Sequence, residues 1–180
     1  TGDAQRDQAA LNWSDVKRIR DRHPGLTLIL KGIATAEDAL VACDHGVDVV
    51  YVSNHGGRQL DAGRGSIEAL PEVVQAVAGR AKVWVDGGFS RGTDIVKALC
   101  LGAECVGLGR LYCYALAADG AAGVVRLLEI LENEIRSCLG LLGVTSLAQL
   151  GPGYVHAATP TNLPHVHSAF PLLRLDDSGY

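Results

Sequence analysis

Four short apolar, β-branched runs punctuate the chain: residues 26–30, 47–52, 81–85 and 105–108. None alternates strictly with polar residues. Each is therefore predicted to be a strand buried on both faces, as in a parallel sheet. Helical patterns lie between them. Thr35 offers an N-cap to a helix over residues 35–44, with Asp38 three residues on as a weak capping-box partner and Gly46 as its stop. Residues 66–77 place Ile67, Leu70, Val73, Val74 and Val77 on one face, and the pattern over 93–101 stops at Gly102. A longer final helix is predicted over residues 121–142. Its apolar stripe (Val124, Val125, Leu128, Leu131, Ile135, Leu139) reads as ordinary packing against a sheet.

Strand–helix repeated four times makes this an α/β chain with parallel strands and right-handed crossovers. Two architectures satisfy that order, an open doubly wound sheet and part of a (β/α)8 barrel. A whole barrel needs eight strands and about 250 residues. With four strands visible, the barrel solution makes the chain the half that carries strands five to eight. About twelve initial residues lack periodicity and read as the end of a loop. After Gly151 the pattern fails again. Pro160, Pro164 and Pro171 break a tail whose apolar residues (Tyr154, Val155, Phe170, Leu172, Leu173) predict packing against something.

Composition narrows the function. The chain has 180 residues, 48% hydrophobic and 20% charged, with net charge -4. That is a globular balance, which excludes a disordered tail. It also excludes a nucleic-acid binder that works by bulk positive charge. No run approaches the ~18–20 consecutive apolar residues of a membrane span. The five cysteines match no zinc spacing and, being odd in number, no complete intrachain disulfide set. Most sit in apolar runs, so they read as buried reduced thiols in a cytoplasm-like compartment. His165 and His167 read as surface residues, and no metal site is predicted. Glycine is in excess, 22 residues against the ~7% of an average chain, and Met is absent. A chain without Met does not start at a natural initiator, so it is expected to be cut or excerpted.

The unusual polar residues follow the strands: Lys31-Gly32 after the first, residues 53–61 after the second, 86–92 after the third, 107–110 at the end of the fourth. In parallel βα folds, sites form at the carboxyl ends of strands. Lys31 offers a fixed cation for an anionic cofactor or intermediate. His55, two residues beyond Ser53, is expected on an extended segment, so that both side chains look into one site. Histidine suits proton transfer near neutral pH, and Arg58 offers a planar fork matched to a carboxylate. Gly87-Gly88 and the Gly107–Gly109 turn let backbone N–H groups approach an anion ahead of a helix start, with Arg91 and Arg110 adding charge. Asp61 and Arg64 are expected to brace the loop after Arg58.

These residues carry a resemblance. SNHGGRQLD (residues 53–61), the Lys31-Gly32 strand end, DGGFSRGTD (86–94), GLGR (107–110) and LLGVTSLAQL (141–150) are similar to the FMN-dependent α-hydroxy acid oxidases and dehydrogenases. Glycolate and lactate oxidases and mandelate dehydrogenases belong to that family. The resemblance spans about Leu11 to Leu150. It implies a TIM barrel with FMN at its carboxyl mouth, residues 1–150 being the carboxyl half, 1–10 the end of a mobile loop, and 151–180 a tail packed on the barrel or a neighbouring subunit. It implies that a small L-2-hydroxy acid is oxidised to the 2-keto acid, with electrons passed from flavin to oxygen or another acceptor. By motif, Lys31 matches the lysine that offsets negative charge on the flavin and Ser53 a flavin contact. His55 matches the base, and Arg58 the arginine on the substrate carboxylate. Asp86, Gly87 and Gly88 match the start of the phosphate loop, Gly109 and Arg110 its second arm. Where the family usually has an arginine four residues after the loop aspartate, this chain has Ser90, with Arg91 one later. Ser90 can still donate to the phosphate and Arg91 either swings in beside it or faces outward, with weaker dependence on this arm and greater reliance on Arg110 and backbone amides. The implied partners are the amino-terminal half of the same enzyme and further copies in a tetramer. The alternatives are a non-redox flavin or phosphate-binding barrel such as an isomerase, and an inactive half-barrel.

Overall fold

The computed structural model describes residues 10–158. The loop end expected over 1–10 and most of the tail expected over 151–180 lie outside the described residues. The chain divides into two compact units. One holds the residues up to Gly87 with Leu101–Gly107, and the other Gly88–Cys100 with the residues from Leu108 on.

The first unit is a parallel sheet of four strands: β1 (Ile29–Ile33), β2 (Val49–Val52), β3 (Lys82–Val85) and β4 (Cys105–Val106). Their spatial order is their sequence order, and each neighbouring pair is parallel. A doubly wound sheet reverses its order at a switch point. This sheet does not, so it is an arc of a (β/α)8 barrel. The first three strands begin later than their apolar runs. Leu26 is spent in a turn, its N–H bonded to the His23 carbonyl, and stays exposed.

Three helices belong to this unit: α1 (Trp13–Arg22), α2 (Ala36–Asp44) and α3 (Ser66–Val77). The pattern missed α1, whose sequence is mostly polar and of which no residue is buried. Its start is nevertheless written in the sequence. Asn12 accepts from Ser14 N–H, and Asp15 accepts from Asn12 N–H, a capping box one turn ahead of the apolar residues. Arg20 ties α1 down by bonding the carbonyls of Leu26 and Gly46 and the Asp48 carboxylate.

One face of the sheet is covered. Val50, Val52, Val83 and Val85 are buried there, against Ala39 and Ala42 of α2 and Leu70, Val73 and Val77 of α3. The expectation of burial on both faces is corrected in part on the other side, where Val49 is buried but its neighbours are not. Lys31, Tyr51, Trp84 and Cys105 form one lateral row across the four strands. Lys31 and Cys105 in that row are exposed, and Tyr51 and Trp84 half-buried. Ile29, two residues before Lys31 on the same face, is 42% exposed. Helices alone cover the outer face; in a barrel the inner face is covered by the opposite strands.

The second unit contains α4 (Gly92–Cys100) and α5 (Arg110–Leu142). Helix α5 is broken at Asp119 and Gly120, whose backbone angles are not helical. The sequence pattern found only the longer piece beyond the break. Of its stripe, Leu131 is buried, whereas Val125 and Leu128 are exposed. By length and composition α5 could cross a membrane. Yet its only 18-residue stretch with at most two charges (111–128) runs through the Asp119–Gly120 break. Cys105 and Cys113 are exposed, contrary to the buried thiols expected, and Cys100 alone of the five is fully buried. The turn Pro152–Tyr154 packs on α4.

Helices α4 and α5 touch through a glycine. A Cβ on Gly92 would lie 2.5 Å from Glu134 Cβ and 2.7 Å from the Ile135 nitrogen. Gly140, also in α5, has open space around it. Gly92→Ala should therefore destabilise the protein by ~1–3 kcal/mol through forced overpacking. Gly140→Ala should stabilise it by ~0.5–1 kcal/mol through helix propensity. Thermal unfolding of both variants checks the pair, and equal effects would contradict the packing described.

Candidate functional site

The site grows from the carboxyl ends of β1, β2 and β3. Lys31 Nζ donates to Ser53 Oγ at 2.8 Å and pairs with Asp86 Oδ2 at 3.0 Å. It also lies 5.3 Å from the centroid of the Tyr51 ring. The two neighbouring strands thus supply the partners of a single ammonium, Tyr51 and Ser53 from β2 and its end and Asp86 from the end of β3. Ser53 is buried, and its hydroxyl oxygen also accepts from His55 N–H at 3.1 Å. One serine therefore fixes both the lysine and the loop that carries the histidine.

That loop is not extended. His55 has φ 55 and Gly56 φ 70, and residues His55–Gly57 form a 3-10 turn. The expectation that Ser53 and His55 face the same way along an extended segment is corrected accordingly: the pair is linked by a tight turn and a backbone bond. Asn54 holds the turn, accepting from Gly57 N–H through its carbonyl and donating to the Arg64 carbonyl through its side chain. Ser66 Oγ accepts from Asn54 N–H. Arg64 grips Glu72 with two bonds of 2.7 and 2.8 Å and reaches the Ala34 carbonyl, so it braces the loop as expected. Asp61 has no such contact among the described residues. His55 and Arg58 are both exposed.

Beside this cluster two buried acceptors, Asp86 Oδ1 and Asn54 Oδ1, have no partner among the described residues. Buried acceptors left so are costly unless a ligand supplies a donor. Next to them the backbone is bare. A Cβ on Gly87 (φ +107) would sit 2.8 Å from Ser66 Oγ, and one on Gly107 would overlap the Tyr51 hydroxyl. Asn54 lies within the 53–61 motif without a role of its own there, and the sequence pattern gave no sign of Ser66 or Tyr51 as site residues. Tyr51 reads as core, and only the row it shares with Lys31 reveals it.

The second unit carries the other expected residues. Asp94 Oδ2 accepts from the N–H groups of Ser90 (3.2 Å) and Arg91 (3.0 Å), and Glu134 Oε2 accepts from Gly92 N–H at 2.6 Å. The start of α4 is thus already filled by carboxylates. Arg91, for which a place at the phosphate and an outward one were both open, holds Glu134, with Nε at 2.8 Å from Oε1. Ser90 Oγ lies 3.5 Å from the Gly88 carbonyl. The start of α5 differs. Gly109 precedes it, no side chain caps it, and Arg110 is its first residue. Uncapped helix amides with an adjoining arginine suit an anion.

A family profile described as FMN-dependent dehydrogenase matches residues 2–157. The chain belongs to the FMN-dependent dehydrogenase family. It is 43% identical to L-lactate oxidase of Nostoc sp. over 153 residues, 85% of this chain and 42% of that one. It is 46% identical to 2-hydroxyacid oxidase 2 of Rattus norvegicus over 148 residues, 82% of this chain and 42% of the relative. It superimposes on the solved monotopic membrane protein (S)-mandelate dehydrogenase with TM-score 0.78 and 43% identity, covering 81% of this chain and 38% of that one. The chain thus spans about two fifths of the length of these relatives. The residues present fit the flavin cofactor of an FMN-dependent dehydrogenase. The ribityl hydroxyls are donors of the kind that Asp86 Oδ1 and Asn54 Oδ1 lack. Within the first unit, Lys31, Ser53, Asp86 and Gly87 would hold it.

The Arg91 guanidinium, and then the Gly92 N–H, hold the Glu134 carboxyl below its ordinary value of 4.5. A carboxyl lowered by folding contributes stability above its unfolded pKa and loses it as pH falls through the folded one. Arg91→Ala should therefore lower thermal stability at neutral pH, and the difference should shrink below about pH 4.5. Melting curves across pH check this; a constant difference would contradict the pairing.

Proposed function

We propose that the protein is an FMN-dependent oxidase or dehydrogenase of small L-2-hydroxy acids. The carrying observation is the ammonium of Lys31, fixed by Ser53 and Asp86, with the His55–Arg58 turn hinged on the same Ser53 hydroxyl. FMN, when bound, supplies the acceptor for two electrons. The remaining steps fall to side chains of this chain. Arg58 pairs its fork with the substrate carboxylate and so fixes the orientation of the hydroxyl-bearing carbon. His55 removes a proton from the substrate. Lys31 provides a fixed positive charge beside the flavin, and preorganised charge of this kind is a large catalytic contribution. Two electrons and two protons leave the 2-hydroxy acid, giving the 2-keto acid; oxygen or another acceptor then takes the electrons.

The open inner face of the sheet supports a partner. The amino-terminal half of the same barrel would cover Ile29, Tyr51 and Trp84 and complete the substrate pocket around Arg58. Whole barrels are proposed to assemble as a homo-oligomer, a tetramer in the family-based reading. A cytoplasmic setting is supported by the free thiols.

The test is anaerobic mixing of the intact protein with lactate, glycolate and mandelate, following flavin absorbance. One of these acids should bleach the flavin. His55→Ala should slow bleaching at least ~100-fold while FMN stays bound, on the scale of general-base loss. Arg110→Ala should weaken FMN binding, whereas Arg91→Ala should leave it within about twofold, since the guanidinium is engaged with Glu134. Flavin that no hydroxy acid reduces would favour a non-redox barrel, and near-normal bleaching in His55→Ala would remove that residue as the base.

A further inference from the structure

We propose that Tyr51 is a positioning residue for Lys31, its ring acting as a platform that fixes the ammonium beside Ser53 and Asp86. The inference rests on the flavin-site reading above and goes beyond it. Tyr51 shares the lateral row of Lys31 on the inner face and is half-buried there. The Lys31 ammonium stands 5.3 Å from its ring centroid, within the range where the ring quadrupole attracts a cation. Two further groups hold the ring. Trp84 meets it edge-on, with centroids 5.9 Å apart and planes at 74°. At the far end the hydroxyl abuts Gly107, where a Cβ would overlap it and would also lie 3.1 Å from Cζ.

This arrangement explains a glycine that backbone angles do not demand. Gly107 is not among the positive-φ glycines, so nothing in its own conformation forbids alanine. The phenol forbids it. Tyr51 and Gly107 are a size-matched pair joining the ends of β2 and β4, with the Asp86 Cβ 3.2 Å from the same point. The chemistry of the phenol also suits a platform. Burial, then the nearby Asp86 carboxylate and the Cys105 thiol, push its pKa above 10. It remains neutral and does not compete with Asp86 for the lysine's charge. An ammonium has three N–H donors. Ser53 accepts from one of them, Asp86 pairs with the charge at 3.0 Å, and the ring walls one side.

The test uses the intact protein loaded with FMN and reads the flavin two-electron potential and FMN affinity. A fixed cation beside the flavin favours its reduced form. Tyr51→Leu should therefore weaken binding of reduced relative to oxidised flavin about tenfold, a potential about 30 mV more negative. Tyr51→Phe keeps the ring and should stay within about threefold of wild type. Tyr51→Met keeps bulk without a ring face; it carries the same expectation as Tyr51→Leu and serves if that variant does not fold. Gly107→Ala should lower FMN affinity at least tenfold in the wild-type background and less than about threefold in Tyr51→Leu, the non-additivity of residues in contact. Three results would overturn the proposal: a wild-type potential in both Tyr51→Leu and Tyr51→Met, a Tyr51→Phe as impaired as Tyr51→Leu, or equal Gly107→Ala losses in both backgrounds. Wild-type protein that binds no FMN would instead remove the flavin-site reading, and this inference with it.

Discussion

Much of this structure turns on one charge. The Lys31 ammonium rises from β1, and its partners come from the ends of the next two strands, Ser53 after β2 and Asp86 after β3. A cation partly withdrawn from water must be compensated, and here the compensation is divided among strands that are neighbours only if the sheet keeps sequential parallel order. The fold and the charge therefore constrain each other. Moving any one strand would leave either the lysine without its carboxylate or Asp86 with a second orphaned oxygen, since Oδ1 already lacks a partner among the described residues.

The second constraint is the one-sidedness of the sheet. Helices α2 and α3 bury the outer valines, while the Lys31–Tyr51–Trp84–Cys105 row remains open. In a closed barrel that row faces side chains from the opposite strands, which makes the interior a packed core rather than a pore. The half-exposure of Tyr51 and Trp84 is thus what an arc of barrel shows when considered alone. Placing functional groups at the carboxyl ends of such strands leaves the layers beneath free for packing, and Tyr51 stands where the two roles meet.

Much of this was legible in the sequence, for physical reasons that can be named. Strand positions follow from continuous apolar runs, and helices α2, α3 and α4 from periodicity with caps. Helix α1 escaped because its apolar face is not buried, although the Asn12–Asp15 capping box marks its start. The first piece of α5 escaped because its alanines and tyrosines form no stripe. Lys31, Ser53 and Asp86 were visible as odd residues after strands. Their mutual contact was not, because it depends on lateral register. Spacing suggested an extended Ser53–His55 segment, and the left-handed His55 overruled it. Arg91 looked like an anion ligand by type and place. What decides its fate is Glu134, 43 residues away on another helix, and no local pattern carries that.

Lys31 as the proposed cation of the flavin site is tested most directly by titrating the flavin-free intact protein with FMN, wild type against Lys31→Met. An affinity at least tenfold weaker is expected in Lys31→Met, with secondary structure unchanged. Equal affinities would contradict it and move the flavin, and with it the proposed chemistry, away from this cluster of strand ends.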